Sequence, residues 1–156
     1  MKVDFVDLKK QYEGSEKVLS EIATAIRTGS FMGASSFENK LADYLDTKYC
    51  VGVGSGTDAL WFSLLAMGIG PGDKVIVPAN TYIATAFAVS HTGATPLFVD
   101  PDPETYLLNT DLIGNNFGPG VKAIIPVHLY GYPVDMDKIM DFAETHGMFV
   151  IEDCAQ

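Results

Sequence analysis

Several classes of protein are excluded by what this sequence contains little of. Cysteine occurs only twice, at Cys50 and Cys154, which lie far apart and without the spacing of a metal site. This usage favours a reducing compartment over a disulfide scaffold. Basic residues are scarce: ten lysines and arginines stand against twenty aspartates and glutamates, for a formal charge of -10. Such a surplus of negative charge argues against nucleic acid and anionic membranes as partners.

Long apolar segments are also lacking. The most apolar stretch, residues 59–70, is too short to span a bilayer. The opening MKVDFVDLKK carries acids and no continuous apolar core, unlike a secretory signal. We therefore expect a cytoplasmic protein. With 156 residues, 47% of them hydrophobic, the chain is typical of a folded protein of about one domain.

Two helices are predicted near the start of the chain. Apolar residues recur at helical spacing over residues 15–28, with Ser15 as the N-cap. A second helix is predicted to begin at Ser35, where Glu38, three residues later, completes a capping box.

The remaining sequence alternates short apolar runs with helical patterns. Five runs predict strands, at residues 49–53, 74–78, 95–99, 122–127 and 148–151. Between them, helices are predicted at residues 58–67, 84–92 and 136–146. Asp135 caps the last helix, and residues 100–120 predict a loop with at most one helical turn. Because the strands are apolar throughout, this order predicts an α/β fold with a mostly parallel sheet and helices on both faces.

The chain ends five residues after the last predicted strand, in EDCAQ. No helical pattern follows that would cover this face of the sheet. The sequence thus predicts an incomplete fold, with the missing cover supplied by a partner or by a longer polypeptide.

Polar residues follow the predicted strands, at the sheet edge where parallel α/β proteins bind ligands. GSGTD, residues 54–58, comes after the first run and immediately before a helix. Free N–H groups at a helix start, with the hydroxyls of Ser55 and Thr57, suit a phosphate. A capped tight turn explains the same residues equally well. The glycine spacing disfavours a nicotinamide dinucleotide site.

Three other strand ends carry an aromatic residue, a histidine and carboxylates. Tyr82 is able to stack on a planar ring or to fill the core. A carboxylate at the strand end that carries Glu152 and Asp153 is able to hold a heteroaromatic nitrogen in its protonated form or to cap a helix. His128 suits acid–base work, substrate contact or a structural hydrogen bond, of which we favour the last. A phosphate cradle, a stacking aromatic and a carboxylate together match the needs of pyridoxal 5'-phosphate (PLP).

Blocks along the whole chain resemble a known family. They read VDFVDLKKQY, GSFMGASSFENKLADYLDTKYCVGVGSGTDAL, PGDKVIVPANTYIATA, IIPVHLYGYPVDMDKI and VIEDCAQ. In content and order they resemble the DegT/DnrJ/EryC1/StrS sugar aminotransferases, which are fold-type I PLP-dependent enzymes. The resemblance implies an N-terminal helix and active-site loop at residues 1–34. Residues 35–156 would form the incomplete large, PLP-binding domain, and the C-terminal small domain would be absent.

The resemblance also implies roles for individual residues. The cofactor phosphate would contact the helix-start residues Gly56, Thr57 and Asp58. Tyr82 would stack on the pyridine ring, and Gln156 would lie near the ring hydroxyl. Asp153 would pair with the pyridine nitrogen and is the expected catalytic residue.

Substrate contacts are expected from a loop and a strand end. The loop comprises Phe31, Met32 and Gly33, which would lie by the substrate mouth, and His128 falls in another family block. No metal is expected.

The Schiff-base lysine of the family has no counterpart here. Family members carry it shortly after the motif that ends this chain, and they run to more than twice this length. The lysines present are 2, 9, 10, 17, 40, 48, 74, 122 and 138, and none directly follows a predicted strand. We therefore expect the N-terminal portion of an aminotransferase, inactive by itself.

For the complete enzyme, the resemblance implies a ping-pong transamination with pyridoxamine phosphate as the intermediate cofactor form. Glutamate would donate the amino group, and a keto sugar attached to a nucleotide would accept it, in polysaccharide or antibiotic sugar biosynthesis. A homodimer with a shared active site is implied. Two alternatives stay open: a sugar dehydratase of the same family, with histidine replacing the lysine, and a non-enzymatic ligand-binding or regulatory fragment.

Overall fold

The computed structural model describes residues 7–30 and 34–156. The chain divides into two compact units, residues 1–52 and residues 53–156. Phe31, Met32 and Gly33, the loop predicted at the substrate mouth, lie outside the described residues. Within the described part, no helix combines the length and the hydropathy that a bilayer crossing requires.

The described part of the first unit is helical. It contains α1 (Leu8–Gln11), α2 (Glu16–Thr28) and α3 (Ser35–Tyr44). The predicted helix over residues 15–28 is confirmed as α2. Ser15 stands at its N-cap position, but the serine side chain makes no capping hydrogen bond. Gly29 ends α2 in the left-handed conformation, with φ of 67°, which glycine adopts without the cost that a side chain would bring.

The capping box predicted at Ser35 and Glu38 is wrong. Ala34 is the N-cap of α3, and Ser35 is its first helical residue. Glu38 Oε1 instead accepts a hydrogen bond from the backbone N–H of Gly52 at 2.7 Å, across a sequence separation of 14 residues. The Glu38 carboxylate therefore accepts a hydrogen bond from a distant loop and none from the N–H groups at the start of its own helix.

The second unit is a four-stranded parallel sheet with helices. Its strands are β1 (Lys74–Pro78), β2 (Thr95–Val99), β3 (Val121–Ile124) and β4 (Phe149–Val150), in the order β2-β1-β3-β4. Its helices are α4 (Gly56–Ala66), α5 (Ala84–His91), α6 (Ile113–Asn116) and α7 (Met136–His146). Short 3-10 turns occupy Thr110–Leu112 and Leu129–Gly131.

One of the predicted strands is wrong. Residues 49–53 form no strand in the described structure, and Tyr49 and Val51 are 74% and 76% exposed. An apolar run indicates a tendency towards burial, but a strand also needs a neighbour that pairs with its N–H and C=O groups. The last two strands are shorter than predicted, since they end at Ile124 and Val150. Further along, an isolated parallel bridge joins Val127 and Asp153.

Helices cover both faces of the sheet, as predicted. Val75 and Val77 of β1 pack into one buried cluster with Leu64 of α4 and Val89 of α5. Ile76, between them in sequence, points to the opposite face. There the cluster includes Ile113 of α6 together with Ile139 and Ala143 of α7. These three residues of β1 are fully buried, which explains why successive positions of this strand are apolar.

The sheet topology creates a crevice between β1 and β3. From β1 the chain passes through α5 to β2 on one side, and from β3 it passes through α7 to β4 on the other. Connections that leave neighbouring parallel strands in opposite directions leave an opening at the carboxyl ends of those strands. Ligands of α/β proteins bind at such openings, so this edge is where the site is to be sought.

Candidate functional site

A cavity of about 240 Å³ lies at the carboxyl ends of the strands. Its walls include Gly56, Thr57, Tyr82, Asp153 and Gln156. The structure therefore brings together five of the residues that the sequence nominated for the cofactor. They come from the start of α4, the loop after β1 and the segment after β4.

The start of α4 forms one end of this cavity. Ser55 is the N-cap, and its Oγ accepts a hydrogen bond from the backbone N–H of Asp58 at 3.1 Å. The first N–H groups of a helix have no acceptor within it, so those of Gly56 and Thr57 remain available to an anion. A Cβ placed on Gly56 would meet no atom within 4 Å, which shows that the space above this turn is open.

Asp58 differs from its two neighbours in position. Its N–H group is taken by Ser55, its carboxylate lies beside Gly54, and it is not part of the cavity wall. Gly56 and Thr57 line the cavity and Asp58 does not. The phosphate contacts expected of all three residues stay predictions.

Tyr82 is a surface residue on the loop between β1 and α5. Its side chain is 75% exposed and borders the cavity. The interpretation of Tyr82 as a core aromatic is therefore wrong. An exposed ring at a cavity wall is available to stack on a flat ligand.

Asp153 is held through both its backbone and its carboxyl group. Its N–H donates to the carbonyl of Pro126 at 2.9 Å, and its carbonyl accepts from the N–H of His128 at 3.1 Å. Oδ1 accepts from the N–H of Ala155 at 3.1 Å, and Oδ2 accepts from Thr85 Oγ1 at 3.3 Å. The carboxyl group thus lines the cavity in a defined orientation.

His128 ties the strand ends together. Its Nδ1 accepts a hydrogen bond from the backbone N–H of Val134 at 3.1 Å. The proton of the neutral ring is therefore on Nε2, which donates to Glu152 Oε2 at 3.0 Å. Both ring nitrogens are engaged, an arrangement that matches the structural role favoured from the sequence.

His128, Glu152 and Cys154 place potential metal-ligating atoms within 4.8 Å of one another. A metal on Nε2 would force the ring proton onto Nδ1, which faces the N–H group of Val134. Burial, and then the charges of Glu152 and Asp153, raise the pKa of the Cys154 thiol. The hydrogen bond from Val134 therefore disfavours metal binding through Nε2 of His128.

Gln156 is anchored at the cavity wall. Its side-chain Oε1 accepts a hydrogen bond from the backbone N–H of Tyr130. Tyr130 has φ of 61°, in the left-handed region that residues other than glycine rarely adopt. The turn at Leu129–Gly131 thereby presents an N–H group to the side chain of Gln156.

A second cavity, of about 220 Å³, lies between the loop after β2 and the start of α7. Its polar groups already serve local turns. The N–H groups of Thr105 and then Glu104 donate to Asp102 and lower the pKa of its carboxyl group. Asp135 caps α7, and Lys138 Nζ lies 3.4 Å from a carboxylate oxygen of Asp111. This cavity therefore offers few free partners to a ligand.

The first cavity fits PLP in its chemistry. An anion-binding helix start, an exposed aromatic ring and an oriented carboxylate surround one space. The cofactor needs partners of these kinds for its phosphate, its ring face and its ring nitrogen.

The chain matches a known family of enzymes. The sequence model of the DegT/DnrJ/EryC1/StrS aminotransferase family matches residues 13–156. The chain belongs to this family. The resemblance seen in the sequence is thus confirmed, as is the fold class of a parallel α/β sheet of the PLP-dependent aminotransferases.

Two curated relatives are named as aminotransferases of nucleotide-linked sugars. The chain is 43% identical to dTDP-3-amino-3,4,6-trideoxy-alpha-D-glucose transaminase of Streptomyces venezuelae, over 99% of this chain and 42% of that protein. It is 43% identical to UDP-2-acetamido-2-deoxy-3-oxo-D-glucuronate aminotransferase of Pseudomonas aeruginosa, over 99% of this chain and 44% of that protein. The chain therefore spans less than half the length of either relative.

Solved structures of family members share the fold closely. NtdA from Bacillus subtilis with bound cofactor PMP superimposes with a TM-score of 0.92 at 38% identity, over 97% of this chain and 36% of that one. A DegT/DnrJ/EryC1/StrS aminotransferase from Brucella abortus gives 0.89 at 38% identity, over 99% of this chain and 44% of that one.

Sequence reasoning missed Thr85, which directly contacts Asp153. Its side chain is 1% exposed and lies in α5, a helix that otherwise packs with alanines and a valine. A lone hydroxyl on the buried face of an apolar helix was the available signal, because such a group needs a hydrogen-bond partner.

Proposed function

We propose that this chain is the cofactor-binding part of a PLP-dependent aminotransferase acting on nucleotide-linked keto sugars. Glutamate is the proposed amino donor. The observation that carries the proposal is the cavity in which the start of α4, Tyr82 and Asp153 meet. The names of the two curated relatives support the substrate class.

Each wall of the cavity would have a separate task. The N–H groups of Gly56 and Thr57 and the Thr57 hydroxyl bind the phosphate, and Tyr82 covers one face of the ring. Asp153 holds a proton on the ring nitrogen, because a nearby carboxylate favours the cationic form. The bound cofactor supplies an electron sink for the reacting substrate carbon. Gln156, held by Tyr130, orients the ring from the side of its hydroxyl.

The domain and substrate assignments follow the same proposal. Residues 1–34 would form an N-terminal helix and active-site loop, with Phe31, Met32 and Gly33 by the substrate mouth. Residues 35–156 would form the cofactor domain. His128 would hold the strand ends rather than contact the substrate, since both of its ring nitrogens are already bonded.

The reactive lysine would come from outside this chain. Among the residues that the structure describes, no lysine belongs to the cavity wall. Lys74 opens β1 and Lys122 lies in β3, both near the amino ends of the strands, away from the cavity. The complete polypeptide would add the lysine and the small domain.

A homodimer is part of the proposal. Helices α4 and α5 bury one side against the sheet, yet Phe62, Leu65, Ile83 and Phe87 on or beside them remain exposed. Helices that are apolar on all sides are typically covered on all sides. A second copy packed on this surface would lie next to the cavity, since α4 begins there. Light scattering of the complete protein and of a variant carrying Phe62→Glu and Phe87→Glu tests the homodimer. We expect a dimer for the wild type and a monomer for the variant, and a wild-type monomer would contradict the proposal.

Cofactor attachment tests the central proposal. The 156-residue chain, of 16.8 kDa, and the complete polypeptide are each incubated with PLP, reduced with borohydride and weighed intact. We expect one cofactor adduct on the complete polypeptide and none of defined stoichiometry on the chain alone. Absence of an adduct from both would contradict a lysine-dependent transaminase and favour the dehydratase or the non-enzymatic alternative.

Turnover tests the role of Asp153. The complete enzyme is assayed with dTDP-, UDP- and GDP-linked keto sugars while 2-oxoglutarate release from glutamate is followed. Asp153→Asn should collapse turnover and keep much of the affinity for the phosphate group. Asp111→Asn, which removes an exposed acid at the second cavity, is the matched control. Near-normal rates in Asp153→Asn would refute the role proposed for Asp153 at the ring nitrogen.

A further inference from the structure

Thr85 is a buried hydroxyl in apolar surroundings. It lies in the first turn of α5 and is 1% exposed, and Ala86, Ala88 and Val89 of the same helix are buried with it. A hydroxyl buried without a hydrogen-bond partner destabilises a fold, and valine would fill nearly the same space without that cost. Packing alone therefore does not account for the hydroxyl oxygen of Thr85, which points to a role in hydrogen bonding.

The hydrogen bonds of Thr85 run in one direction. Its Oγ1 lies 3.3 Å from Asp153 Oδ2 and 3.4 Å from Thr81 Oγ1. An ionised carboxylate only accepts hydrogen bonds, so the single hydroxyl hydrogen of Thr85 goes to Asp153. Thr81 is then the donor to Thr85. The result is a chain of two hydroxyls that ends on one carboxylate oxygen.

The other oxygen of the same carboxylate is also engaged. Oδ1 of Asp153 accepts from the N–H of Ala155, two residues ahead. Two donors, one on each oxygen, fix the plane of the carboxyl group more firmly than either alone. Without Thr85, the local bond to Ala155 would be the only hydrogen bond within the described part of the chain that restrains rotation of that group.

We propose that Thr85 is a positioning residue that orients the Asp153 carboxylate towards the ring nitrogen of the cofactor. This inference rests on the proposed function. The backbone N–H of Thr85 also donates to the carbonyl of Tyr82 at 3.1 Å. Thr85 thus bonds Asp153 through its side chain and Tyr82 through its backbone. The two residues proposed to contact the cofactor ring are therefore linked through the start of one helix.

The test compares variants of the complete protein loaded with PLP that carries nitrogen-15 in its ring. Thr85→Val removes the hydroxyl at nearly constant shape, and Thr85→Ser retains it. Thr92→Val is the matched control, because Thr92 ends the same helix and its hydroxyl bonds the carbonyl of Val89, away from the cavity. The readouts are cofactor affinity, the ring-nitrogen resonance, kcat and KM.

In Thr85→Val we expect wild-type phosphate-dependent affinity and a ring-nitrogen resonance displaced towards that of neutral pyridine. We expect kcat to fall about 10- to 100-fold with KM little changed, the size of one hydrogen bond to a charged group. Thr85→Ser should recover the wild-type resonance and most of kcat. Thr92→Val should leave both unchanged.

Two results would overturn the inference. One is a wild-type resonance and kcat in Thr85→Val; the other is an equal loss in Thr85→Val and Thr85→Ser, which would indicate packing. If Thr85→Val does not fold, Thr85→Ala gives the same comparison with the serine variant. A wild-type protein that binds no PLP would instead refute the proposed function, which separates the two failures.

Discussion

Replacing Gly56 with alanine is expected to stabilise the fold and to weaken cofactor binding. Gly56 is the first residue of α4 and part of the cavity wall. A methyl group there would meet no protein atom within 4 Å, and the backbone does not require a positive φ. Alanine is therefore tolerated by the free protein, and its methyl group enters the space that the phosphate is proposed to occupy.

The two effects have opposite signs and separate magnitudes. Alanine restricts the unfolded chain more than glycine does, which raises the free energy of unfolding by about 0.5 kcal/mol at a helix end. In binding, displacement of the phosphate from one N–H group loses a hydrogen bond to a charged group, worth about 1.5–3 kcal/mol. That loss corresponds to a Kd about 10- to 150-fold higher.

The assay combines urea unfolding without ligand and titration with PLP, followed by absorbance. Pyridoxal, which lacks the phosphate, serves as the control ligand, and its affinity should fall much less. Gly114→Ala in α6 is the control variant, because a Cβ there also meets nothing within 4 Å and the residue is not part of the cavity wall. Unchanged PLP affinity in Gly56→Ala would refute the placement of the phosphate at the start of α4.

Three further predictions concern the fold and the strand ends. Asp135→Ala should lower the free energy of unfolding, measured in urea, by about 1 kcal/mol, because Asp135 Oδ1 caps α7 by accepting from the N–H of Lys138. Asp135→Asn should recover most of that loss. Equal losses in the two variants would contradict the cap. Ile124→Ala, at a fully buried position, should cost about 2–5 kcal/mol in the same measurement, and a loss below that range would contradict tight packing there. Cys154 should react with iodoacetamide more slowly than the amino acid cysteine in solution, because burial and then the charge of Glu152 raise the pKa of its thiol. Glu152→Gln should speed the reaction. The reverse order of rates would be inconsistent with that cause.

Elements governed by local pattern were predictable from the sequence. The bounds of α7 and its cap Asp135 agree with the prediction, as do the bounds of β1 and β2. Helical periodicity, capping side chains and short β-branched runs act over a few residues, so a linear reading captures them.

Elements that depend on a distant neighbour were not predictable in this way. Residues 49–53 have the composition of a strand and lack a pairing partner among the described residues. Glu38 has the spacing of a capping box and bonds Gly52 instead. In both cases the outcome depends on which backbone groups come within hydrogen-bond reach, and local sequence does not specify that.

By itself the sequence determined the family, the α/β fold class and five of the residues that line the candidate site. It could do so because the carboxyl ends of parallel strands lie at one edge, where side chains far apart in sequence converge. Only the tertiary structure decided how those side chains are held. The partner of Asp153 lies 68 residues away in α5, and the proton on His128 is placed by the N–H of Val134. Such contacts depend on ångström-scale distances between packed elements, which residue types and spacing along the chain do not define.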